Sequence, residues 1–179
     1  MPYWLERNHW IEADRRWALV FHRMAARPQT LLLLVWASRL GDGIAWYVLM
    51  FALPWFDRTN GWTATFSMAG LGLINLLLYL GLKRVTGRPR PFVDCPGIHA
   101  RTHTLDQFSF PSGHTLHAVS YALLLTWHYP TLPMALPLWG FAVIVAASRV
   151  VLGLHYPSDV LAGALTGAIT TSLLLACLY

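Results

Sequence analysis

The sequence predicts an all-α, polytopic membrane helix bundle of five or six transmembrane helices, preceded by an amphipathic helix at the membrane interface. Three observations carry this expectation. The 179 residues are 56% hydrophobic and only 12% charged, with nine tryptophans, a balance foreign to a soluble globule of this size. The apolar residues gather into segments whose lengths suit a bilayer, separated by polar turns. The remaining polar residues concentrate in a few clusters, which need a chemical reason in so apolar a chain.

Residues 3–27 mix Trp4, Trp10, Trp17 and Phe21 with Arg7, Glu12, Asp14, Arg15, Arg16, Arg23 and Arg27. Aromatic and basic residues together predict an interfacial helix at headgroup level, which Pro28 ends or kinks. Thr30 to Leu40 is apolar, Arg39 and Asp42 interrupt it around Gly41-Asp42-Gly43, and Ile44 to Phe56 resumes. Neither half alone reaches the roughly 20 residues of a crossing, so this first span is expected to be tilted, bent or re-entrant. Asp57 to Gly61 reads as a turn, and Trp62 to Leu82 as a clean span. Lys83 to Phe110 is polar and long enough for a functional loop. Thr115 to Tyr129 and Met134 to Ala147 are spans joined by a turn at Pro130 to Pro133. Val160 to Leu178 is the last span, and Gly163 and Gly167 on it form a small-xxx-small pair for close helix approach. The length fits one domain over residues 1–179, with the polar clusters in 83–159. The start lacks a basic leader followed by an apolar core, and no removable signal peptide is expected.

A net charge of +5 without a separate basic arm points to anionic lipid or an anionic substrate and away from nucleic acid. Cys95 and Cys177 are far apart and suggest neither a disulfide framework nor a four-ligand zinc site. No oligomeric state follows from the sequence.

If Trp62 to Leu82 crosses once, two further crossings return the chain to residues 149–159 at the face that holds the long loop. Three clusters then share one side. Lys83, Arg84, Arg88 and Arg90 lie in a stretch where Gly87, Pro89 and Pro91 oppose regular helix, giving a shaped cationic loop suited to phosphate oxygens. Standing alone, such a cluster reads as a flank for lipid headgroups. In Pro111-Ser112-Gly113-His114, Ser112 can cap a helix and offer its hydroxyl, and Gly113 admits an anion to the helix N-terminus. His114 at the rim can give a proton to a leaving oxygen, and His117, one turn deeper, reads as packing or support. The bland alternative is a plain N-cap with an incidental histidine. In the third cluster, His155 and Asp159 are four residues apart, so the carboxylate can hold one ring nitrogen while the other attacks. Arg149 adds a fixed cation. Its plain alternative is a buried His-Asp pair with an arginine counterion.

Taken together, these motifs resemble the type 2 phosphatidic acid phosphatase superfamily of integral membrane lipid phosphatases. The family's Lys, six residues, Arg-Pro matches Lys83, Arg90 and Pro91; its Pro-Ser-Gly-His matches Pro111 to His114. Its Ser-Arg, five residues, His, three residues, Asp matches Ser148, Arg149, His155 and Asp159. The resemblance implies that His155 is the nucleophile forming a phosphohistidine, Asp159 orients it, and His114 protonates the leaving oxygen. It assigns Lys83, Arg90, Ser112, Gly113 and Arg149 to the phosphate, with no metal or cofactor. The partners implied are a lipid phosphate and the membrane lipids, with undecaprenyl diphosphate, phosphatidylglycerol phosphate and phosphatidate as candidate substrates. The departure lies at the N-terminus, where Arg15, Arg16, Arg23 and Arg27 disfavour a sixth crossing.

Two rivals have their own residues. Cys95, His99 and His103, with Asp94 or Asp106, can be read as a metal site of a membrane hydrolase, although Pro96 and Gly97 oppose the helix it needs. A non-catalytic lipid-phosphate binder or transporter would use the cations but not the histidines. For location, the expectation is the inner (cytoplasmic) membrane. The basic N-terminal helix serves as a cytoplasmic marker, and by resemblance to bacterial members the site faces the periplasm or exterior.

Overall fold

The computed structural model describes residues 9–104 and 106–179. Residues 3–8 of the expected interfacial helix lie outside the described residues. Helix α1 (His9–His22) carries Glu12, Asp14, Arg15 and Arg16, too many charges for a crossing, and buries Asp14, Ala18 and His22 along one stripe at four-residue spacing. That stripe docks onto the bundle, where the His22 ring lies 2.9 Å from the Val151 carbonyl.

The first crossing is bent. Helix α2 (Pro28–Arg39) starts on a proline, whose fixed φ suits a first helical turn. A π-helical turn, Leu40–Ile44, follows, and then α3 (Ala45–Phe56). Gly43 has φ +131°, a conformation side chains avoid, and it makes the kink. The two halves together give 29 residues long and apolar enough to cross.

Helix α4 (Gly61–Thr86) runs 26 residues. It passes through Lys83 and Arg84, so the cationic cluster begins on a helix and not in a loop. The helix continues because those cations sit at its negative end. It stops where Gly87 turns left-handed (φ +55°) and its N–H bonds the Lys83 carbonyl at 3.0 Å. After one helical turn, α5 (Pro91–Asp94), the loop continues to α6 (Gly113–His128), α7 (Leu132–Val151) and α8 (Pro157–Leu178). Four stretches qualify as membrane spans by length and composition: Pro28–Phe56, Gly61–Asp94, Leu132–Val151 and Pro157–Leu178. The 16-residue α6 is shorter, about 24 Å at 1.5 Å per residue. It is the bundle's centre, with Leu116, Ala118, Ala122 and Leu124 wholly buried.

Packing explains that position. A Cβ on Gly163 would lie 2.5 Å from the Ser112 carbonyl, and one on Gly167 2.5 Å from that of Leu116. The small residues of α8 thus bring its backbone against α6. Asn75 Nδ2 of α4 donates to Ser120 Oγ (2.8 Å), which donates to the Gly167 carbonyl (3.1 Å), so buried polar groups tie three helices together. The outward surface is apolar, with Phe66, Leu77, Val143, Leu161, Leu165 and Ile169 all exposed, as lipid requires.

The end of α4, the loop, and the junctions at residues 112–113 and 151–157 lie at one face; the turns near residues 57–60 and 129–131 lie at the other. Helix α1 sits on the first face, since Arg15 pairs with Asp94 at 2.7 Å and Asp14 with Arg88 at 2.6 Å. A cytoplasmic α1 and an outward-facing loop are therefore incompatible expectations.

Candidate active site

The three clusters meet around a cavity of about 390 Å³ lined by Lys83, Arg90, Gly113, His114, Arg149 and His155, with Asp42 and Asp106 at its wall. Lys83, buried on the last turn of α4, donates to Asp106 Oδ1 (2.7 Å) and the Phe108 carbonyl (2.6 Å). Arg90 is held by its own loop: Nη2 donates to Asp106 Oδ1 (2.8 Å), Nε to the Asp106 carbonyl (3.1 Å) and Nη1 to the Leu154 carbonyl (2.9 Å). Burial works against the Asp106 charge, but Lys83 and Arg90 outweigh it and hold the carboxyl below its ordinary range. Arg149 at the end of α7 bonds Ser38 of α2 through Nη1, and its buried Nε has no protein partner among the described residues.

His155 sits in the junction before α8, 1% exposed. Its Nδ1 is 2.6 Å from the Ser109 carbonyl. A carbonyl only accepts, so Nδ1 carries the proton and Nε2 keeps its lone pair. Nε2 lies 3.3 Å from Arg90 Nη1. Burial first, then Arg149, Arg90 and Lys83, hold the imidazole well below its ordinary pKa of 6.5. A neutral imidazole whose unprotonated nitrogen is held only by a long Arg90 contact, among three cations, is chemically able to attack an anionic phosphorus once that contact passes to the substrate.

The carboxylate expected to hold that ring stands further off. Asp159 Oδ2 lies 3.7 Å from His155 Nδ1, outside hydrogen-bond distance, and accepts instead from the Tyr156 N–H at 2.8 Å. Its other oxygen, Oδ1, takes Arg88 Nη1 at 2.7 Å. Asp159 thus fixes the backbone beside His155 and adds negative charge near the ring, while the Ser109 carbonyl sets the tautomer. Ser112 caps α6, accepting from the Thr115 N–H at 3.4 Å. It is fully buried, so Gly113 meets the cavity and the Ser112 hydroxyl does not. His114 lines the cavity and contacts Asp42 through Nε2. His117 lines it one turn deeper, with Nδ1 2.9 Å from the Gly113 carbonyl.

In the sequence, Arg88 reads only as one cation of the first cluster, Asp106 only as a possible metal ligand and Asp42 only as a break in the first span, while Asp14 and Ser109 are given no part in the site. Arg88 Nη1 donates to Ser158 Oγ (2.7 Å) as well as Asp159, and its Nη2 to Asp14 (2.6 Å), which links α1 to the site. Its place between Lys83 and Arg90 was the available signal; Asp14, 74 residues away from Arg88, offered none. Asp42 was visible as a charge inside a span. The rival metal set does not assemble: among the described residues no three His, Cys, Asp or Glu side chains group as metal ligands. Cys95 packs near the Tyr156 hydroxyl, and the His99 N–H faces His22 Nε2.

A multi-pass helical bundle with histidines in a cationic cavity at one membrane face is an arrangement suited to an integral membrane phosphatase. A model of the PAP2 superfamily matches residues 60–179, and the chain belongs to that superfamily. It is 35% identical over 147 residues to decaprenylphosphoryl-5-phosphoribose phosphatase of Mycobacterium tuberculosis, covering 79% of this chain and 77% of that protein. It is 31% identical over 144 residues to undecaprenyl-diphosphatase of Sulfolobus acidocaldarius, covering 76% and 65%. Among solved structures, Aquifex aeolicus LpxE superposes with a TM-score of 0.79 at 25% identity, covering 93% of this chain and 94% of that one. The PAP2 type phosphatidylglycerolphosphate phosphatase of Bacillus subtilis does so with a TM-score of 0.73 at 25% identity, covering 97% and 88%.

Proposed function

We propose that the chain acts as one domain that hydrolyses the terminal phosphate of a polyprenyl-linked phosphate or diphosphate without a metal, through a phosphohistidine at His155. The observation that carries this reading is the unprotonated Nε2 of His155, which lines the cavity beside Lys83, Arg90 and Arg149 and meets a single N–H of Arg90 at 3.3 Å among the described residues. Nε2 attacks phosphorus, forming a P–N bond as the P–O bond to the lipid breaks, and the departing oxygen takes a proton from His114. Water then attacks phosphorus, the P–N bond breaks with its electron pair returning to Nε2, and His114 takes the proton of the water. The three cations and the Gly113 N–H hold the phosphoryl oxygens, the part a divalent ion plays elsewhere.

Two observations support a polyprenyl substrate. The names of similar relatives carry decaprenyl and undecaprenyl groups, and the cavity continues between α3 and α4 along Met50, Ala69, Leu73 and Leu76, apolar residues fit for a tail. The test is phosphate release in detergent with undecaprenyl diphosphate, phosphatidylglycerol phosphate and phosphatidate, in the presence of EDTA. Turnover is expected to be highest on the polyprenyl lipid and unchanged by the chelator, and to fall about a thousandfold or more in His155→Ala and His114→Ala. Full activity in both variants would remove the two histidines from the chemistry, and no phosphate release from any of the lipids would reduce the chain to a lipid-phosphate binder.

We place the enzyme in the inner membrane with its site facing the periplasm or exterior, which rests on the resemblance to bacterial members. The opposite orientation has one observation in its favour: Arg16, Arg23, Arg27, Arg84 and Arg101 are exposed on the site's face and Arg58 on the other, the pattern of a cytoplasmic face. Helix α8 leads away from the site, so a reporter fused after Tyr179 reads the far side. A cytoplasmic reporter is the expected result, and a periplasmic one supports the second orientation.

A further inference from the structure

We infer that Asp42, carried into the site by the kink of the first span, is the counter-carboxylate that favours the protonated form of His114 for donation to the leaving oxygen. The inference rests on the phosphatase reading above and adds a residue outside its three motifs. Asp42 Oδ1 contacts His114 Nε2 across 72 positions of sequence, and both side chains line the cavity.

The backbone is shaped for this contact. A Cβ on Gly41 would lie 3.1 Å from the Val145 side chain of α7 and 3.5 Å from the His114 ring, so glycine at residue 41 leaves the π-helical turn close against both. Gly43, at φ +131°, supplies the bend beside Asp42, whose side chain lines the cavity and is 34% exposed there. A charge held at that depth in a span needs a partner.

The chemistry supplies the reason. A general acid must carry a proton before the leaving oxygen departs. His114 is nearly buried, with Arg149 of α7 close enough to repel an imidazolium, and Lys83 and Arg90 line the same cavity. Its other titratable neighbours there are His117 and Tyr121 of its own helix, Tyr47 of α3, Tyr79 of α4, and His155. Of the two carboxylates at the cavity wall among the described residues, Asp106 is committed to Lys83 and Arg90, which leaves Asp42 to balance the imidazolium. With Nε2–H donated to Asp42, Nδ1 makes no hydrogen bond among the described residues and is left to the substrate. Asp42 touches no reacting atom; it is a positioning residue acting through His114.

A leaving-group comparison tests this. p-Nitrophenolate departs without a proton, whereas an alkoxide does not. We expect Asp42→Asn to lower kcat/KM for dodecyl phosphate about a hundredfold and for p-nitrophenyl phosphate less than about threefold, with the alkaline limb of the dodecyl phosphate profile moved to lower pH. Asp42→Glu should recover most of the loss with its alkaline limb near that of wild type, and Asp42→Ser is the second carboxylate-free variant if Asp42→Asn does not fold: an alkaline limb moved to lower pH supports the role, and an unmoved limb overturns it. Equal losses on both substrates, or no loss on either, would overturn the inference. His155→Ala and His114→Ala run beside it keep the underlying reading separate. Activity in His155→Ala, or absence of leaving-group bias in His114→Ala, defeats the phosphatase mechanism itself, whatever Asp42→Asn does.

Discussion

Replacing Arg88 by alanine isolates the link between α1 and the site. Its guanidinium makes three short bonds, to Asp159 (2.7 Å), Ser158 (2.7 Å) and Asp14 (2.6 Å). Without it Asp159, wholly buried, keeps only the Tyr156 N–H as a short donor, and Asp14, 9% exposed, loses its cation. Removing one partner of a buried pair costs about 3–5 kcal/mol. The Arg88 side chain is 23% exposed, so water reaches the gap and the lower end, about 3 kcal/mol, applies. At roughly 2–4 °C per kcal/mol for a chain of this size, the midpoint should fall by roughly 6–12 °C in a thermal unfolding scan in detergent. Asp159 anchors the backbone next to His155, so an ångström of drift there should also cut kcat about a hundredfold. A double-mutant cycle of Arg88→Ala with Asp14→Ala should return a coupling of about 1 kcal/mol or more. An unchanged midpoint together with a wild-type rate would refute the claim that Arg88 holds Asp159 in place.

Two further perturbations probe the bundle and the proposed nucleophile. Gly167→Ala puts a methyl 2.5 Å from the Leu116 carbonyl and 2.8 Å from Ser120 Oγ, whereas Gly70→Ala meets nothing within 4 Å; the first should cost about 1–3 kcal/mol of stability and the second nearly none. Equal midpoints would contradict the close contact of α6 and α8. Because His155 is held well below 6.5, it remains neutral as pH falls past that value. The unfolded chain binds the proton first, so this residue's contribution to stability is present above 6.5 and is lost as pH drops toward its folded pKa. An NMR titration should show no ring protonation between pH 8 and 6, and a midpoint near 6.5 would contradict the burial assigned to it.

Much of this molecule was legible in its sequence because a bilayer narrows the choices: an apolar run of about 20 residues has few alternatives to a helix. The spans at Trp62 to Leu82 and Val160 to Leu178 therefore appear with small boundary shifts, and one face gathers the three clusters by counting crossings. The Gly163 and Gly167 pair was readable for the same reason, since small residues four apart have one main use in lipid. Other features depend on where the chain goes in space. The helical state of Lys83 and Arg84 was hidden because the nearby Gly and Pro residues suggested an earlier stop than the one Gly87 makes. The ring partner of His155 is a main-chain carbonyl at Ser109, and a carbonyl leaves no mark in a sequence. Asp14 reaches Arg88 only because α1 folds back over the site, which also reversed the value of the basic N-terminus as a marker of sidedness.

The phosphoryl-enzyme tests the central claim most directly. Rapid acid-free quenching of the purified protein with radiolabelled lipid phosphate should leave label bound to the chain, stable to alkali and lost in acid, and peptide mapping should place it on His155, absent from His155→Ala. Hydrolysis at a chiral phosphorus should proceed with net retention, as two in-line displacements require. Inversion at phosphorus with no labelled histidine would mean that water attacks the lipid phosphate in one step, and the role given to His155 would be wrong.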